Sequence, residues 1–179
     1  TGEGGMLVTD SEKLYEKSKY WGNNAKDEKL FWHTAVGYMY RMSNLLGALG
    51  LAQLERAEEF IERKRKIFSW YKERLKDIRG LRLNTERDYA KNIFWMTSIV
   101  LEKDFGITRD KLMKKLKENL IDTRPFFYPL SMFPFFKSKA ENPMAYKIQL
   151  NGINLPSGVN LREEEVDYIC RILRKLLKV

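Results

Sequence analysis

The 179-residue sequence predicts an α/β or α+β domain led by a short segment of a different unit. Three observations carry this. From about residue 43, helix-period and strand-period stretches alternate as helix, strand, helix, strand, helix, strand, helix. Apolar residues make up 44% and charged residues 32%, the balance of a globular chain rather than a disordered one. Residues 1–20 stand apart: Gly2, Gly4 and Gly5 run straight into an apolar triplet.

The elements follow in order. The opening glycines supply a sharp turn or a close backbone approach, and residues 6–8 read as a short strand. Asp10 and Ser11 can cap a helix through about Lys19. "WGNNAKDEKL" is a polar loop. Ser43 or Asn44 then starts the longest helical pattern, which Gly80 stops. Near its start, Gly47, Ala48 and Gly50 leave one face bare, for tight packing or for a subunit or domain contact. "NIFWMTSIVL" places Ile93, Trp95, Thr97, Ile99 and Leu101 on one face of a strand. Thr108 caps a helix to about Asn119, and "LIDTRPFF" reads as a strand ending near Pro125. Asn142 and Pro143 start a short helix that Gly152 ends, and "INLP" is a strand. Asn160 with Glu163 forms a capping-box-like start for the last helix, whose buried stripe is Val166, Ile169, Cys170, Leu173 and Leu177.

Composition bounds the chemistry. A single cysteine, Cys170, excludes an internal disulfide framework and fits a reducing, cytoplasmic setting. A single histidine, His33, argues against a zinc site and reads first as a structural residue. The uncharged runs 42–54 and 125–136 fall short of the ~18 residues of a membrane span, so no membrane partner is expected. The net charge of +9 fits either an anionic partner or a solvated lysine-rich surface, since much of it is interleaved with acid. No nucleophile–base pair stands out. "TGEGG" could cradle a phosphate on backbone N–H groups, although it is neither a Walker loop nor a dinucleotide fingerprint. In "TRPFFYPLSMFPFF", an arginine among six aromatics can clamp an anionic or planar ligand, or the aromatics can plug a domain seam.

Four stretches together resemble the DegT–StrS family of nucleotide-sugar aminotransferases, with perosamine synthetases the nearest group. They are "TGEGGMLVTD", "WHTAVGYMYRMSNLLGALGLAQLER", "DTRPFFYPL" and "GINLPSGVNLREEEVDYIC", in the family's order and at about its spacing. The resemblance implies the carboxy-terminal part of a fold-type-I transferase dependent on pyridoxal 5'-phosphate (PLP). Residues 1–42 would be a remnant of the large cofactor-binding domain with a connecting loop, 43–80 a long interdomain helix, and 81–179 a small α/β domain. The implied reaction moves an amino group from glutamate to a nucleotide-linked keto-sugar, in a cytoplasmic homodimer without a nucleic-acid partner. The family's Schiff-base lysine precedes the "TGEGG" turn, so it would lie upstream of Thr1. No catalytic residue is therefore assigned here, this chain alone is expected to be inactive, and no tight cofactor binding by it is expected. The resemblance carries Thr1, Gly2, Gly4, Tyr40 and Arg41 over as cofactor-side residues, and Arg124, Tyr128 and Ser131 as substrate-side residues. Two positions depart from the family. Met39 stands where many members have an asparagine reaching the cofactor phosphate of the neighbouring subunit. Ser131 stands where many have a histidine facing the sugar. The competing readings are a small basic nucleic-acid-binding module with base-stacking aromatics, and an inert dimerisation fragment.

Overall fold

A computed structural model describes residues 1–29, 31–136 and 141–179, and the chain divides into two compact units, 1–57 and 58–179. In the first unit, helix α1 (Glu12–Gly22) starts where Ser11 Oγ accepts the Leu14 N–H. Helix α2 (Asn44–Leu54) starts the same way, with Ser43 Oγ accepting from Leu46. Residues 6–8 form no strand, contrary to the sequence reading. They have no strand partner among the described residues, and Met6 is 91% exposed. An apolar triplet becomes a strand only when a neighbour takes its N–H and C=O groups.

The helical pattern from 43 to 80 is also not one helix. The Glu55 N–H still reaches back four residues to Leu51, but the Arg56 N–H reaches only three, to Gln53. That tightened turn separates α2 from α3 (Ala57–Leu75). The boundary between the two compact units falls beside it.

The second unit is a four-stranded antiparallel sheet with helices packed on it. Its strands are β1 (Leu81–Leu83), β2 (Thr97–Leu101), β3 (Arg124–Pro125) and β4 (Gly152–Leu155), in the order β1-β2-β4-β3. The core joins Ile67, Tyr71 and Leu75 of α3 to Ile99 and Ile153 of the sheet. Leu112 and Leu116 of α4 (Arg109–Glu118) enter it, as does the stripe read for α6 (Glu163–Leu177): Val166, Ile169, Cys170, Leu173 and Leu177. Each is a large apolar side chain at helical or strand spacing, so burial fixes which face turns inward.

Three boundaries differ from the sequence reading. β1 was not expected. Residues 92–96 are not strand, because Phe94 adopts φ +49 and breaks the extended path. The Asn92 side chain stabilises that bend by accepting the Phe94 N–H at 2.8 Å. Phe94 is thereby buried and stacked on Phe68, with ring centres 3.7 Å apart, while Trp95 is left 62% exposed. The cap of α6 is Arg162 rather than Asn160: the Glu165 carboxylate accepts the Arg162 N–H at 2.8 Å. Asn160 instead lies within a turn closed from the Leu161 N–H to the Gly158 carbonyl.

The basic run of α3 holds loops. Arg63 donates to the Val159 and Leu161 carbonyls, and Lys64 to those of Trp95 and Ser157. Arg65 grips both Glu86 oxygens and the Asn92 carbonyl. These three of the chain's 33 Lys and Arg are therefore engaged within the fold. No helix among the described residues is long and apolar enough to cross a membrane.

Candidate functional site

The first unit gathers most of the expected cofactor-side residues. After α1 the chain turns back as a narrow ribbon. The Tyr38 and Tyr40 N–H groups donate to the Trp21 and Gly22 carbonyls, each at 2.8 Å, and the Asn24 N–H donates to Tyr38 O at 2.9 Å. Alternate residues of an extended segment share a side, so the Tyr38 and Tyr40 rings stack, 5.2 Å apart and 3° from parallel. Gly37 makes this fold-back possible: a Cβ there would sit 2.2 Å from the Ala25 nitrogen. His33 is structural, its Nδ1 2.9 Å from the Asn24 carbonyl oxygen.

Arg41 follows the stacked pair, and its guanidinium donates to Asn23 Oδ1 across a long 3.5 Å. Met39 forms a bridge with Asn23 through the backbone. The opening turn lies nearby. Thr1 packs on Gly50 of α2, where an added Cβ would meet the threonine methyl at 3.0 Å, and on Gly4, where it would meet Oγ1 at 3.2 Å. This is what half of the bare face does; at Gly47 an added Cβ meets nothing within 4 Å. Gly2 has φ +73, a conformation that favours glycine. Gly4, Tyr40 and Arg41 line one groove of about 1120 Å³ with Tyr15, Trp21 and Leu46. Lys17, Lys19 and Arg41 face it against one acid, Glu3, so it is positive overall. Gly22 and Asn23, which fix the ribbon, lay within the stretch read as a polar loop.

The expected substrate-side residues belong to the second unit. Arg124 is exposed on β3, and its Nη1 donates to Asp122 Oδ1 at 2.7 Å. A surface ion pair of this kind is weak and exchangeable. Tyr128 is exposed and meets Phe133 edge-on at 6.4 Å. Ser131 lies in a 3₁₀ turn (Leu130–Met132), its Oγ 2.9 Å from the Tyr146 hydroxyl on α5 (Pro143–Asn151). Tyr146 was not singled out from the sequence, since a helix tyrosine 15 positions away carries no local signal. A polar network supports this edge. The Asn84 side chain accepts the Ser98 N–H at 2.7 Å, Ser98 Oγ donates to Asn154 Oδ1 at 2.7 Å, and the Asn154 amide donates to the Pro125 carbonyl at 3.4 Å. Phe127 and Trp95 stack on the outside, 6.4 Å apart. Cys170 takes no part: burial pushes its thiol up to about 12, and it stays protonated.

The likenesses to known proteins run along nearly the whole chain. The model of the DegT/DnrJ/EryC1/StrS aminotransferase family matches residues 1–174. The GDP-perosamine synthase of Escherichia coli O157:H7 is 38% identical over 177 residues, covering 98% of this chain and 48% of that protein. The GDP-perosamine synthase of Vibrio cholerae is 37% identical, covering 97% and 48%. The chain thus spans about half the length of the curated relatives it matches. Among solved structures, the aminotransferase TlmJ from Streptoalloteichus hindustanus superposes with a TM-score of 0.85 over 94% of this chain and 46% of that one, at 20% identity, a likeness of fold. DesI in the presence of its TDP-sugar product gives 0.82 at 25% identity, over 95% and 44%. With a family model matched from the opening turn through most of α6, the chain belongs to the DegT/DnrJ/EryC1/StrS aminotransferase family.

Proposed function

We propose that this chain is part of a PLP-dependent, cytoplasmic, homodimeric aminotransferase. It moves an amino group from glutamate to a nucleotide-linked keto-sugar in polysaccharide or glycan precursor biosynthesis. The observation that carries this reading is the 38% identity to a perosamine synthase along 98% of the chain. The groove of the first unit fits the phosphate end of the cofactor. It is net positive, Gly4 and Gly5 of the glycine turn line it, and among the described residues Arg41 makes one long hydrogen bond, to Asn23. Thr1, Gly2 and Gly4 shape the turn, Arg41 takes the phosphate, and Tyr40 walls the groove. Met39 offers only a weak sulfur acceptor where an amide would donate.

Arg124 can exchange its exposed partner Asp122 for a sugar-nucleotide phosphate, because an Arg–phosphate pair is the stronger one. Tyr128 offers an aromatic face, and Ser131, held by Tyr146, a hydroxyl for the sugar. PLP, when bound, supplies the electron sink that lets the substrate's carbon-bound proton leave. The lysine that anchors it belongs, on this reading, to the polypeptide leading into the Thr1 turn. Lys13 and Lys26 do not stand at that position, and these 179 residues alone are inactive.

The test is an amino-transfer assay with glutamate and a GDP-linked keto-sugar. We expect no transfer by the chain alone, and transfer once the half of the E. coli synthase that it leaves unmatched is supplied. Arg41→Ala should then weaken PLP binding at least tenfold, a loss of about 1.4 kcal/mol. Amino transfer by the chain alone, or its absence from a well-formed complex of the two halves, would overturn the proposal.

A further inference from the structure

A groove of about 1100 Å³ opens in the second unit between α3 and the segment 84–94. None of the residues placed on the cofactor or substrate side lines it. The stacked Phe68 and Phe94 do line it, but both rings are buried and offer a ligand little apolar surface. Its loop wall is fixed by the clasp of Arg65 on Glu86 and on the Asn92 carbonyl, and by the Asn92 amide, which donates to the Thr85 carbonyl at 3.2 Å. Charge is unevenly shared there. Arg65 and Glu86 neutralise each other, Nη1 to Oε1 at 2.6 Å. What remains is Lys66, Lys72, Arg87 and Lys91 against Asp88 alone, four positive charges to one negative, or +3. All four cations are exposed. Among the described residues none of their side chains makes a hydrogen bond or an ion pair, and Lys66 lies over the Trp70 ring at 5.6 Å. Like charges gathered in a concave site repel one another, and an anion that enters relieves the repulsion.

We propose that this groove binds a di- or triphosphate group, either inorganic or carried on a nucleotide. The four cations come from two elements, Lys66 and Lys72 from α3 and Arg87 and Lys91 from the loop, so they converge on one compact charge. An extended acidic peptide would instead be met by a row of cations along a single element. One phosphate carries about −2 at neutral pH, so matching the groove takes at least two. Lysine meets phosphate as a point charge from any side, and the planar fork of Arg87 can take two oxygens at once. Thr85, exposed in the same lining, adds a hydroxyl that can donate to a phosphate oxygen. The site lies within the second unit and does not depend on the aminotransferase reading.

The experiment follows the backbone amide resonances of the full 179-residue chain as inorganic pyrophosphate or ADP is added. Saturable shifts are expected at residues 66–72 and 84–91. Lys72→Glu combined with Arg87→Glu should weaken pyrophosphate binding, read at these amides, at least tenfold. Unmoved resonances in β4 and α6 should show that variant still folded. Arg124→Ala should leave the affinity read at these amides unchanged. ADP that saturates at least tenfold earlier than pyrophosphate assigns a nucleotide to the groove, and equal affinity assigns the phosphate chain alone. No saturable shift with either anion, shifts that sulfate reproduces at the same concentration, or undiminished binding by the double variant would overturn the inference. Tighter binding of an oligoglutamate peptide than of pyrophosphate would overturn it as well, and would make the groove a peptide site.

Discussion

At the residue scale, position decides what each side chain does. Gly152 ends α5 and opens β4, and an added Cβ would lie 1.9 Å from the Phe126 ring and 2.7 Å from the Ile148 carbonyl oxygen. Gly152→Ala should therefore destabilise the second unit by about 1–3 kcal/mol in urea unfolding, since neither backbone nor ring can retreat freely. Tyr71 is fully buried and donates to the Pro156 carbonyl at 2.8 Å. Tyr71→Phe should cost about 1–3 kcal/mol by leaving that oxygen unpaired. Two buried groups give the fold a pH limit. Burial raises the Cys170 thiol from an ordinary 9.0 to about 12, and raises the Tyr71 phenol above its ordinary 10.0. Both are acids whose folded values lie above their unfolded ones. Stability is full below about pH 9 and falls as pH rises towards 12, where the unfolded chain releases protons that the folded chain keeps. Urea midpoints measured from pH 8 to 11 should decline steadily, and Cys170→Ser should flatten the first part of the decline. Sequence alone marked Cys170 as a core residue, by its place on the α6 stripe. It could not reveal the hydrogen bond of Tyr71, whose carbonyl partner is 85 residues away.

At the element scale, local chemistry was readable where it closes over a few residues. Ser11, Ser43 and Thr108 all cap the helices assigned to them, because a cap bond spans only three residues. The stripe of α6 was equally legible, and Leu173→Ala there should cost about 2–5 kcal/mol. What sequence did not mark was any bond made at long range. The clasp of Arg65 on Glu86 and Asn92 holds the segment that bends at Phe94, and that bend shortens β2 to five residues. The Arg65 guanidinium also holds the Glu86 carboxyl below the usual carboxylate range, together with the Asn92 N–H. Acidification must go below that range, through the lowered Glu86 value, before the carboxylate is protonated and its bond to Arg65 weakens. Glu86→Gln should accordingly speed hydrogen exchange in residues 84–94 at neutral pH.

At the scale of the whole molecule, the two units differ in kind. The second has a continuous core running through α3, α4, α6 and the sheet; the first has one buried apolar residue among those described. In the isolated chain, limited proteolysis should cut first within residues 1–57 and leave 58–179 as a resistant fragment that unfolds cooperatively. A uniformly resistant chain would contradict this. By itself, the sequence determined the family, the α/β character and most helix starts. These rest on residue types at fixed short spacings, which chain chemistry carries without a fold. Only the tertiary structure decided that 43–80 is two helices, that residues 6–8 have no strand partner here, that the basic run of α3 clasps loops, and that Ser131 is tied to Tyr146. Each of these depends on hydrogen bonds, or their absence, between residues brought close in space, and a hydrogen bond across 15 or 93 positions leaves no periodic trace along the chain.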